Sequence, residues 1–173
     1  MRKMLFGIED GAPIVGDKVI CLRNDWEHPS EAGDIAVNGT IGYLTKIHYN
    51  KYHPYLHPQL IADFLPDTYS DEDVERSPYD LFFRNVNMDY KLLTTGEETV
   101  NNKNFKFFPK AHRPQVYDYG YCITCWKAQG SEYDKVLVLE EGFPRKDSID
   151  HLKYLYTAAT RARKKLVIIK DWS

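Results

Sequence analysis

The chain has 173 residues, 43% hydrophobic and 28% charged, a composition that excludes a disordered polypeptide and leaves room for one ordinary domain or two small ones. No apolar run approaches the roughly 20 residues of a membrane span, residues 1–6 are basic but lack an apolar signal-peptide core behind them, and three cysteines, an odd number, argue against a disulfide framework and for a reducing cytoplasm. The net charge of −2 conceals a division, with 11 Lys+Arg against 17 Asp+Glu in residues 1–109 and 12 against 8 in residues 110–173, so the basic C-terminal part faces either a polyanion or plain solvent.

The N-terminal part reads as β structure. Residues 15–23 (VGDKVICLR) are rich in β-branched side chains and begin at the turn pair Gly16-Asp17. Residues 36–44 (AVNGTIGYL) set Asn38-Gly39 between Val37 and Ile41, a strong short-range hairpin signal. Residues 46–58 are aromatic with prolines at 54 and 58 and read as loop. The acidic, proline-flanked residues 65–80 suit a surface excursion, and residues 80–93 and 104–108 suit further strands. Short strands with turn punctuation predict a small β-barrel.

After about residue 115 the texture changes. Residues 119–124 (YGYCIT) and 134–140 (DKVLVLE) predict strands, the second continuously apolar at its centre. Residues 148–163 predict a helix, with Ser148 as N-cap, Asp150 in the first turn and Arg161, Arg163 and Lys164 closing it. Its apolar stripe is Ile149, Leu152, Leu155 and Ala159. Residues 165–170 (KLVIIK) predict another strand. Apolar strands alternating with helices mean a parallel α/β sheet.

Two stretches carry chemistry. If 119–124 is a strand of that sheet, Thr124 to Glu132 lie at its carboxyl edge, where ligands of open α/β sheets bind. There Thr124 offers a hydroxyl, Lys127 a point charge, Gly130 close backbone approach and Glu132 an acceptor for ribose hydroxyls. The alternative is an ordinary K-x-Q-G surface turn. In the second stretch, Arg161 follows Thr157 by four residues and shares its helix face. An arginine at the mouth of a sheet connection can stabilise charge on a transferring phosphoryl group. The alternative is an arginine that only satisfies the helix dipole.

Together the stretches are similar to a family. T-x-x-K-A-Q-G-S-E at 124–132 resembles motif V of superfamily 1 helicases, and Y-T-A-A-T-R-A-R at 156–163 resembles motif VI. With GDKVICLRNDW and VNGTIGY upstream, the pattern looks most like the RecD/Dda-type branch. The resemblance implies an α/β protein, an incomplete RecA-like parallel α/β domain (the second motor domain) with an SH3-like β-barrel inserted in it or preceding it. Residues 1–13 would be a remnant motor-domain helix, 14–115 the barrel module with long loops, and 116–173 the C-terminal part of the second RecA-like domain. It further implies that Thr124, Trp126, Lys127 and Ser131 meet single-stranded DNA and that Gln129, Gly130, Glu132 and Arg161 meet the nucleotide. Arg161 would be the catalytic arginine finger, Gln129 would couple the two sites, and Tyr156 would support the motif VI helix. Trp126 stands where the family usually has histidine; an indole can stack on a base.

No G-x-x-x-x-G-K-[ST] occurs anywhere in the chain, and the acidic pair Glu140-Glu141 at the end of the 134–140 strand reads, without that loop, as a solvated strand end rather than a Walker-B pair. By the resemblance both belong to the first RecA-like motor domain, which would hold ATP and Mg²⁺ and be a partner of this chain. The expectation is a helicase C-terminal fragment that hydrolyses no ATP and binds no cofactor by itself. Alternatives are a stand-alone single-strand-binding module or part of an RNA-directed helicase. Cys122-x-x-Cys125 reads as packing, because no second pair exists to complete a metal site. His48, His53 and His57, with Tyr49, Tyr52 and Tyr55, read as loop residues, and Trp26 and Asn24 as candidate DNA contacts of the barrel.

Overall fold

The structure, a computed structural model, describes residue 7 and residues 11–50, 59–77, 79–100, 113–140 and 148–170. The chain divides into two compact units, Met1–Tyr121 and Cys122–Ser173. The expected strand at 104–108, His53, His57, Tyr52, Tyr55 and most of the expected helix at 1–13 lie outside the described residues.

The first unit is built on β1 (Lys18–Cys21), β2 (Ile41–Asn50), β3 (Gln59–Pro66), β4 (Phe83–Met88) and β5 (Tyr117–Tyr119). They form one sheet in the order β4-β3-β2-β1-β5, antiparallel throughout. The ladders leave it open rather than closed into a barrel. A single bridge, Met88 to Gln115, links the β4 edge to the segment before β5. One face carries the core, in which Val19, Leu44, Leu60, Phe64, Phe83, Val86 and Tyr117 are buried. Phe64 sits edge-on to Tyr117 at 5.3 Å between ring centroids and tilted against Phe83 at 5.9 Å.

Two irregularities meet at Asp63. In β4 both Arg84 and Asn85 oppose it, and Asn85 adopts a φ of 52°. The buried Asp63 carboxylate accepts from Asn85 N at 2.9 Å and from Arg84 Nη1 at 3.2 Å. A bulge of this kind needs an acceptor for the residue that leaves the ladder. Beyond β4, Asp89 caps a short helix, α2 (Tyr90–Thr95), preceded along the chain by α1 (Asp71–Arg76), whose Ser70 and Asp73 form a capping box.

Several expectations are corrected. Asn38-Gly39 is a turn, with Thr40 N donating to Val37 O at 2.9 Å, but only Gly39 has positive φ, at 95°. A two-residue type I′ hairpin needs both, so the turn feeds β2, whose partner β1 is reached across residues 22–40. That loop is held by the fully buried Asp25, which accepts from the backbone N–H groups of Glu27 and His28 and meets the His28 ring at 3.1 Å. Residues 46–50, expected as loop, continue β2 against β3, and β3 itself runs where no strand was expected. The expected strand at 80–93 ends at Met88, because Asp89 starts a helix. Of the expected strand at 119–124 only Tyr119 is in a strand: β5 ends there and belongs to the antiparallel sheet, and residues 120–124 form none.

The second unit is β6 (Tyr133–Glu140), α3 (Ile149–Ala159) and β7 (Ala162–Lys170). β6 and β7 pair in parallel, as expected. Ser148 caps α3 by accepting from His151 N at 3.2 Å. The helix ends at Ala159 rather than 163, and its buried residues are His151 and Ala158; of the expected stripe Leu155 and Ala159 are half-buried, whereas Ile149 is 71% and Leu152 55% exposed. The cause is a polar anchor. His151 Nε2 lies 2.6 Å from Glu140 Oε1, both side chains buried, which turns this face of α3 toward the end of β6.

Gly42 lies where β2 passes β3, and a methyl group there would meet the Leu65 carbonyl oxygen and come within 2.7 Å of Phe64 Cε2 and Pro66 Cα. Gly42→Ala is expected to cost about 1–3 kcal/mol by overpacking, read from denaturant unfolding. An unchanged midpoint would contradict the close approach. The Asp25 hydrogen bond raises the His28 pKa above its ordinary 6.5. Its stabilisation is therefore full below about pH 6.5 and lost as pH rises through the raised value. The stability difference between wild type and His28→Gln should shrink between about pH 6 and pH 8; a constant difference would contradict the pairing.

Candidate nucleotide and strand site

The site is built from a turn and a helix end. Residues 124–131 fold back on themselves through Ala128 N to Thr124 O at 3.2 Å, Gln129 N to Trp126 O at 3.2 Å and Ser131 N to Ala128 O at 3.1 Å. Thr124 Oγ1 accepts from Lys127 N at 3.3 Å, so its hydroxyl serves the turn. Gly130 closes the fold with a φ of 89°, a conformation side-chain-bearing residues rarely adopt. Ala128 is the buried residue of the turn, whereas Trp126, 62% exposed, projects outward. Thr124, Gln129, Gly130 and Glu132 are also exposed, and Lys127 and Ser131 half-buried.

Arg161 joins this turn to α3. Its Nε donates to Thr157 O at 3.1 Å, its Nη1 to Ser131 O at 3.0 Å and its Nη2 to Thr160 Oγ1 at 3.1 Å. Arg161 O accepts from Tyr133 N at 2.8 Å, fastening the start of β6 to the start of β7. A guanidinium has five N–H groups, so these bonds leave one on each terminal nitrogen. The bond to Thr157 O is the helix-end role that the sequence offered as an alternative; the bond across to Ser131 was not foreseen from it.

The structure therefore brings the two motif-like stretches together, but not at the expected edge. Residues 124–132 precede β6, and Arg161 precedes β7, so both lie at the amino-terminal edge of the parallel pair. The carboxyl-edge placement fails because the strand expected in the parallel sheet at 119–124 does not form: β5 ends at Tyr119 and pairs with β1. Cys125 packs beneath the turn, its Sγ 3.6 Å from Tyr154 O, and burial raises its pKa against the opposing charge of Arg161. Cys122 is exposed. Among the described residues no three His, Cys, Asp or Glu side chains gather as metal ligands, and no helix is long and apolar enough to cross a membrane.

With these positions established, the segment can be compared with known families. Residues 119–169 match the UvrD-like helicase C-terminal domain. The match begins in β5, contains the whole turn, α3 and Arg161, and stops one residue short of the end of β7. It supports a superfamily 1 helicase C-terminal part for this segment. No curated protein matches the chain.

Removing the arginine should loosen the turn. A hydrogen bond from a charged group contributes about 1.5–3 kcal/mol, so Arg161→Ala is expected to speed amide exchange at Ala128, Gln129 and Ser131 by on the order of 10-fold or more relative to wild type. Unchanged exchange there would show that the turn holds without the link.

Proposed function

We propose that the chain is the C-terminal half of an ATP-dependent DNA helicase of the RecD/Dda-like type, contributing one wall of the nucleotide cleft and one part of the single-strand track. The observation that carries this is the Arg161–Ser131 bond inside a segment that matches a helicase C-terminal domain: one side chain joins the turn to the helix end. In this reading Gln129, Gly130, Glu132 and Arg161 face the nucleotide, and Thr124, Trp126, Lys127 and Ser131 face the strand. The exposed indole of Trp126 suits base stacking, in place of the phosphate contact a histidine would make.

The residues present fit a nucleotide. Gly130 has open space around it, Gln129 and Glu132 offer exposed polar groups, and Arg161 keeps a donor on each terminal nitrogen. ATP, with Mg²⁺ held by the first motor domain, supplies the phosphoanhydride bond whose cleavage drives movement. Arg161 presents positive charge to a terminal phosphate, while its bond to Ser131 passes any shift of the guanidinium to the turn that grips the strand. The five-stranded sheet of the first unit takes the part of the SH3-like module.

A second reading, a single-strand-binding module, is favoured by the exposed Trp126 beside Lys127; salt-dependent binding by the chain without any nucleotide would support it. The helicase reading is tested in the protein joined to its first motor domain. Arg161→Ala is expected to lower kcat for ATP hydrolysis by on the order of 10³-fold while strand affinity stays nearly unchanged. Equal rates in mutant and wild type would remove the finger role.

A further inference from the structure

The pairing of β6 with β7 contains an irregularity. Tyr133 lies opposite Ala162 and Lys135 opposite Lys165, so Asp134 alone is opposed by two residues, Arg163 and Lys164. This is a β-bulge in β7. In a regular strand consecutive side chains point to opposite faces, yet here both reach one carboxylate. Arg163 Nη2 lies 3.2 Å from Asp134 Oδ1, and Lys164 Nζ lies 2.7 Å from Asp134 Oδ2. All three side chains are substantially exposed.

The next pair along the ladder is Lys135 opposite Lys165, both exposed. Like charges directly opposite each other destabilise a sheet, and among the described residues neither lysine has an acidic partner. Arg163 and Lys164 thus share a single carboxylate at the amino-terminal edge of the parallel pair, with Lys135 and Lys165 on the opposite face of the ladder; the 124–132 turn and Arg161 emerge from the same edge. An anion arriving there can replace Asp134 between Arg163 and Lys164.

We propose that this edge is a phosphate-binding surface for a nucleic-acid backbone, with Asp134 occupying the place a phosphate takes when the strand is bound. The proposal rests on the nucleic-acid reading above and extends the strand's path from Thr124 and Lys127 over Arg163 and Lys164. The bulge is the device that makes it possible, since it turns two consecutive basic side chains toward one anion. Asp134 holds them in place in the free protein and competes with the strand for them.

The test is fluorescence anisotropy of the full chain with a labelled oligothymidylate over a range of salt concentrations. Lys164→Gln is expected to bind about 3-fold more weakly at low salt, with the slope of log K against log salt reduced by about 0.7, the share of one cation for a single strand. Asp134→Asn, which frees Arg163 and Lys164, is expected to bind roughly 3- to 10-fold more tightly. Asp150→Asn, which removes the same charge from the exposed first turn of α3, should leave affinity as it is. Salt-dependent wild-type binding that neither Asp134→Asn nor the lysine variant alters overturns this edge and leaves the Thr124–Lys127 contacts standing. Equal tightening by Asp134→Asn and Asp150→Asn also overturns it, because net charge would then be the cause. A wild-type chain that fails to bind the oligonucleotide at low salt overturns both this proposal and the nucleic-acid reading.

Discussion

The Arg161 guanidinium is the junction on which the second unit depends. It ties the last turn of α3 to the carbonyl that ends the 124–131 turn, and its own carbonyl ties the start of β6 to the start of β7. The bonds inside the turn are short-range and close at 3.1–3.3 Å, so its shape leans on this external link.

At the other end of the same helix the Glu140–His151 contact performs a complementary task. It is buried, short and polar, and it chooses which face of α3 turns toward the sheet. Burying a polar pair costs desolvation that only good geometry offsets, yet it fixes orientation more sharply than an apolar stripe, which tolerates rotation. With α3 held at both ends, by His151 and by Arg161, the turn, the helix and the two strand starts form one connected piece. The aliphatic side chains Leu137, Leu139, Val167 and Ile169 are exposed on one face of the two-stranded parallel pair.

Much of this was legible in the residues. The apolar runs at 134–140 and 165–170 became parallel strands, and Ser148 became the cap of α3, because continuous hydrophobicity and N-cap chemistry are local signals. The linked motifs at 124–132 and 156–163 pointed to neighbouring positions, and the Ser131–Arg161 bond makes them neighbours. Long-range pairing was what the residues could not reveal. Tyr117–Tyr119 pairs with β1, nearly 100 positions earlier in the chain, whereas the strand expected in the parallel sheet at 119–124 does not form. Lys46 to Asn50 is a strand because β3 lies beside it, against its own aromatic, proline-flanked texture. Only half of the stripe on α3 turns inward, Leu155 and Ala159, while the buried His151–Glu140 contact occupies the first turn in place of Ile149 and Leu152. Asp134 looked like a strand-start residue, and only the ladder offset revealed two cations on it.

In the proposed helicase Arg161 couples the nucleotide side of the site to the strand side. Coupling is a free energy shared between two ligands, so it is measured most directly as the affinity for single-stranded DNA with and without a non-hydrolysable ATP analogue. The protein joined to its first motor domain should show a strand affinity that shifts on nucleotide binding, by roughly 5- to 150-fold if the coupling is of ordinary size. In Arg161→Ala the shift should collapse while the analogue still binds. A shift that persists undiminished in the variant would contradict the account, because the turn would then receive the nucleotide's signal by another route.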